Sequence, residues 1–156
     1  MSHAIIGYTF NEYICAIMYI IFNDYPAVSY TQASVTAWLE SCLHHLDVPK
    51  AKLMYHFISD NELLRINQDY LNHDTFTDII TFDYSTEEHL QAEVFISTQR
   101  MEENATNNTQ SVDKELLRLL SHAILHCLGH KDSTEDEKRL MRSKENELIE
   151  LFHVKH

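Results

Sequence analysis

A chain of 156 residues, 44% hydrophobic and 23% charged with only two glycines and two prolines, has the size of one domain with one core, which excludes disordered, collagen-like and solenoid architectures. A formal net charge of −12 excludes a protein that grips nucleic acid over its whole surface, because phosphate binding is driven by clustered Lys and Arg, yet it allows a local basic cleft. Cys15, Cys42 and Cys127 are dispersed and form no C-x-x-C pair, so neither a disulfide framework nor a cysteine zinc site is indicated.

Residues 1–17 carry no interpretable periodicity or cap pattern and read as an N-terminal extension, leaving residues 18–156 as the single folded domain. The apolar run from Ile14 to Phe22 falls well short of the roughly 20 residues that span a bilayer, and no Lys or Arg precedes it, so a soluble, cytoplasmic protein without membrane contact is expected. Met18 to Phe22 is β-prone and runs into turn residues Asn23-Asp24-Tyr25-Pro26. Ser29 or Thr31 then caps a helix to about His45, whose stripe is Val35, Trp38, Leu39, Cys42 and Leu46. Lys52 to Ile58 alternates as a strand, and Ser59 or Asp60 caps a helix with Leu63, Leu64, Ile66, Tyr70 and Leu71 on one broad apolar face. The polar loop His73 to Asp78 feeds a buried strand, Ile79 to Phe82, which a polar connection from Ser85 to His89 joins to another at Glu93 to Ile96. A polar helix from Thr98 to about Asn108 follows. Asp113 to Leu128 is the strongest helix, with Leu116, Leu117, Leu120, Ile124 and Leu128 as its stripe, and Glu135 to Phe152 is the last, capped by Ser133 or Thr134.

The helix from Asp113 carries His122 and His126, four residues apart, so both imidazoles leave one face one turn apart, the spacing a single transition metal needs from two ligands. Gly129 suits the left-handed position after a helix end, and the reversal it permits brings Asp132 or His130 back beneath the histidines. The whole pattern, H-x-x-x-H-x-x-G-x-x-D, makes His122, His126 and Asp132 the metal ligands, Asp132 being preferred because a related zinc-peptidase motif places its third histidine there. One Zn²⁺ per chain is expected, with His122 as the residue to which catalysis is assigned. Zinc peptidases place a glutamate base directly after the first histidine; here Ala123 occupies that position, which favours phosphodiester over peptide hydrolysis. Cys127 is expected to pack in the core.

These segments together resemble the YbeY family of zinc-dependent endoribonucleases. Ile66-Asn67, Tyr70, and Thr77-Asp78 before Ile79-Ile80-Thr81-Phe82 match the family's first motif, Ala92 to Ser97 its glycine-aspartate strand, and His122 to Asp132 its metal motif. The resemblance runs from about Met18 to the C-terminus. It implies an α/β fold of the α+β type, with a mixed sheet of about four strands flanked by helices and a zinc-peptidase-like metal helix. It also implies cleavage of single-stranded RNA in maturation of small-subunit ribosomal RNA at its 3′ end and in ribosome quality control, with precursor ribosomal RNA and the ribosome or its proteins as partners. Departures are Asp132 for the family's third histidine, Ala123 for its glycine, and Leu71 for an arginine that helps bind phosphate; Arg65, Arg100, Arg118 or His73 could supply that charge instead. The competing expectation is a zinc-stabilised, ribosome-associated binding protein with little hydrolysis, and a metallopeptidase is the third.

Overall fold

Period-two alternation places the centre of the sheet. The computed structural model describes residues 18–153, so the expected extension over residues 1–17 lies outside the described residues. In β2 (Ala51–Ile58), Ala51, Leu53, Tyr55 and Phe57 are buried, and in β4 (Leu90–Ser97), Leu90, Ala92, Val94 and Ile96 are. The two strands pair in parallel with Tyr55 opposite Val94, β1 (Met18–Asn23) adds in parallel beyond β2, and β3 (Ile79–Asp83) pairs antiparallel on the far side of β4. The order β1-β2-β4-β3 is the expected mixed sheet of four strands, and β3 and β4 are the neighbours their sequence proximity suggests.

The helices form where cap and stripe coincide. Thr31 accepts the Ser34 amide to cap α1 (Gln32–His45), which buries Val35, Trp38, Leu39, Cys42 and Leu43. Ser59 closes a capping box with Glu62 on α2 (Asp60–Leu71), Ser97 caps α3 (Thr98–Asn107), Ser111 caps α4 (Val112–Cys127), and Thr134 closes a second box with Glu137 on α5 (Glu135–Glu150). The last helix tightens into a 3₁₀ turn at Leu151–His153 and does not continue as α-helix to Phe152.

Helix α4 is the hub, burying Leu116, Leu117, Leu119, Leu120, Ala123, Ile124 and Leu125 in the core shared with α1, β2, β4 and α5. Two polar side chains tie that core: Tyr55 Oη donates to the Leu120 carbonyl at 3.1 Å, and Trp38 Nε1 donates to the Leu148 carbonyl at 2.8 Å. The broad apolar face expected on α2 is narrower, because only Leu63 and Asn67 are buried there while Tyr70 and Leu71 are exposed. Leu71 stands on the wall of a cleft, where a residue keeps its solvent. Among the described residues no helix is long and apolar enough to cross a membrane.

Candidate metal centre and cleft

The end of α4 shapes the site. Leu128 is the C-cap, Gly129 follows at φ +96°, the Gly129 amide donates to the His126 carbonyl and the His130 amide to the Leu125 carbonyl, both at 3.0 Å. This paired bonding is a Schellman motif, which requires the left-handed residue that glycine provides. It turns the chain back, so that Asp132 reaches His122: His122 Nε2 lies 3.4 Å from Asp132 Oδ2. The rings of His122 and His126 are 5.5 Å apart between centroids, as four-residue spacing on a helix dictates. All three side chains line one cleft of about 520 Å³.

Both imidazoles are oriented through Nδ1. His126 Nδ1 lies 2.8 Å from the His130 carbonyl, which can only accept, so Nδ1 carries a proton and Nε2 is the nitrogen left for a ligand. His122 Nδ1 lies 3.3 Å from Glu145 Oε2, and Glu145 is only 2% exposed. Zinc-ligating histidines are held in this way, by a carbonyl or carboxylate on the nitrogen that does not ligate. The donor set fits the expected metal in a second respect, since two ligands of a tetrahedral zinc at about 2.0–2.1 Å stand roughly 3.4 Å apart. Among the described residues, however, no three His, Cys, Asp or Glu side chains form a group that could hold a metal ion. The fit therefore rests on the His122–Asp132 pair and on the two pinned imidazoles. His130, the other candidate, contributes its carbonyl to His126, while its side chain lies outside the cleft lining.

A buried ionic network stands behind His122. Arg118 is 12% exposed and contacts Glu115 directly, Asp78 Oδ2 at 3.5 Å and Glu145 Oε2 at 3.7 Å. Burial pulls its guanidinium towards deprotonation, but the hydrogen bond and charge of Glu115, with Glu145 and Asp78, hold it above the ordinary arginine range. Asn104 Nδ2 donates to Asp78 at 2.9 Å and to Glu115 at 3.3 Å, so the carboxylates keep partners besides the arginine. Ala123 is buried in the core, and no base of the zinc-peptidase kind is present at that position.

Leu71, in the position of the missing family arginine, does line the cleft. Of the four alternative sources of positive charge, Arg118 and His73 line it, and Arg65 and Arg100 do not. Arg100 instead lies 4.9 Å from the centre of the Phe76 ring, and Phe76 is 48% exposed on the cleft wall. Cys127 is half-buried against the core, with its thiol pushed up to about 12 by burial and by the nearby Asp83 charge, and it takes no part in the site.

Sequence reasoning missed Glu145 and Phe76. Glu145 had a legible signal: it lies four residues after Met141 and three before Leu148, a charged residue on an apolar stripe, and such a residue must have a buried partner. Phe76 had none, because its exposure depends on how the loop before β3 crosses the cleft.

The comparisons with known proteins agree with this architecture. The family model described as Endoribonuclease YbeY matches residues 22–153. The protein named Endoribonuclease YbeY from Flavobacterium psychrophilum is 42% identical over 124 residues, spanning 80% of this chain and 89% of that one. Its namesake from Christiangramia forsetii is 45% identical over 117 residues, spanning 75% and 82%. In fold, the solution structure of TM1509 from Thermotoga maritima is similar with a TM-score of 0.64 and 24% identity, covering 86% of this chain and 89% of that one. With a family model matched across nearly all the described residues and relatives of this identity over most of their length, the chain belongs to the YbeY endoribonuclease family.

Proposed function

We propose that this chain is a single-strand-specific, zinc-dependent endoribonuclease, with His122, His126 and Asp132 as the ligands of one Zn²⁺ and residues 18–156 as the hydrolase domain. The observation that carries this reading is the engagement of both Nδ1 atoms, by Glu145 and by the His130 carbonyl, which reserves Nε2 of each imidazole for a ligand beside Asp132. Zinc held there supplies positive charge to phosphoryl oxygens and acidifies water towards a pKa of about 7.

The remaining work falls to the chain itself. Arg118 holds Glu145 and Asp78, and Glu145 in turn holds the ring of His122. Phe76 offers an exposed aromatic face for an unstacked base, which a duplex would not present, and this favours single-stranded RNA. The absence of a base at Ala123 favours phosphodiester over peptide hydrolysis.

The cellular role proposed is cytoplasmic 3′-end maturation of small-subunit ribosomal RNA and ribosome quality control, with precursor RNA and ribosomal proteins as partners, supported by the family's motifs between Ile66 and Asp132. Cleavage of single-stranded RNA by the metal-loaded protein, compared with His122→Ala and His126→Ala variants, tests the reading. Loss of cleavage in both variants is expected, and equal cleavage by all three proteins would overturn it. RNA binding with cleavage at background in every case would select the zinc-stabilised binding protein instead.

A further inference from the structure

The cleft does not end at His122. A second cavity of about 350 Å³ shares Arg118, His122 and Asp132 with the first and continues along the first half of α5, where Lys138, Arg139 and Arg142 line it. In a chain of net charge −12 this concentration of cations beside the site departs from the general balance of the surface. Their side chains are 56%, 76% and 52% exposed, so they are open to a ligand. Lys138 and Arg139 pair with Glu135 and Asp136 one turn earlier, and those acids are 84% and 87% exposed. Solvated pairs of this kind contribute little, and a phosphate can replace the carboxylate at small penalty. Four residues on a helix advance about 6 Å, so Lys138 and Arg142 stand about one nucleotide step apart along the groove.

We infer that this groove is a second subsite for the RNA backbone, in which Lys138, Arg139 and Arg142 take the phosphates that lie beyond the cleaved bond. The inference rests on the nuclease reading of the adjoining cleft. No Phe, Tyr or Trp is among the described residues that line the groove, so it tracks phosphates without reading bases, and binding through it is independent of sequence. Arg142 also contacts Glu145 at 3.6 Å, whereas among the described residues Lys138 and Arg139 form their ion pairs with Glu135 and Asp136, outside the histidine-orienting network, and are the cleaner probes.

The test measures binding of fluorescent single-stranded RNAs of about 20 nucleotides to the full chain on a His126→Ala background, so that bound RNA is not cut. The double variant Lys138→Gln/Arg139→Gln should raise Kd roughly tenfold for unrelated sequences alike and lower the slope of log K against log salt by about 1.4, two phosphates at about 0.7 each. The charge-preserving Lys138→Arg/Arg139→Lys should retain both values. Unchanged Kd and slope in the neutral variant overturn the inference, as does a weaker Kd with an unchanged slope, because phosphate contacts must appear in the salt dependence. Cleavage by the otherwise unsubstituted protein is measured alongside: if it persists, only the subsite falls, and if no cleavage or RNA binding occurs at all, the nuclease reading falls and takes the subsite with it.

Discussion

The cleft has a helix wall and a loop wall, and they hold their polar groups differently. On α4 and α5 the groups around the histidines are held by partners within the protein: the buried Glu145 on His122, the largely buried Arg118 on Glu145, and the His130 carbonyl on the more exposed His126. On the loop between α2 and β3, His73 and Phe76 are exposed, and the loop is tethered from beneath by Asn67, whose amide donates to the Thr75 carbonyl at 2.7 Å. Chemistry requires groups fixed in position before the substrate arrives, and burial with full hydrogen bonding provides that. Contact with a flexible single strand requires exposed faces on a loop. Substitutions at His122, His126, Arg118 and Glu145 should therefore affect metal binding and catalysis, and those on the loop wall should affect substrate affinity alone.

The largest effect is expected on the helix wall. His122→Ala should lose the bound metal and reduce RNA cleavage by more than the roughly 10–100-fold that changing an outer partner produces; metal content by elemental analysis and a cleavage time course check it. Glu145→Gln, which removes the charge but keeps the shape, should weaken zinc affinity by roughly 10–100-fold in a chelator competition. If affinity is unchanged, Glu145 does not orient His122 and the helix wall is not pinned as described.

The loop wall sharpens the contrast. Phe76→Ala should weaken single-stranded RNA binding by about 1–3 kcal/mol, read as a raised KM, with zinc content and thermal stability kept. A fall in zinc content would break the distinction between the walls. The smallest effect is at the turn that joins α4 to Asp132: a β-carbon at Gly129 meets nothing within 4 Å, so Gly129→Ala carries only the left-handed strain of φ +96° and should destabilise by about 1 kcal/mol, checked as a lowered Tm.

Much of this was legible in the sequence where local rules and global packing agree. The caps at Thr31, Ser59 and Thr134 follow from residue type and spacing, as do the stripes of α1 and α4 and the left-handed Gly129. The placing of His122, His126 and Asp132 on one cleft follows as well, because one helix and one turn carry all three. Two features were illegible for different reasons. Tyr70 and Leu71 look like core by periodicity, but both are exposed, and Leu71 lines a cleft formed with β3 and α4, which pattern within α2 does not encode. The Arg118 network draws Asp78, Glu115 and Glu145 from three separate segments, and such convergence belongs to tertiary structure.

The central claim is that the pinned histidines hold a metal that RNA cleavage needs. Purified protein should contain about one zinc per chain, and stripping it with a chelator should abolish cleavage of single-stranded RNA, with zinc restoring it. Full cleavage by protein shown by elemental analysis to be free of metal would contradict the account.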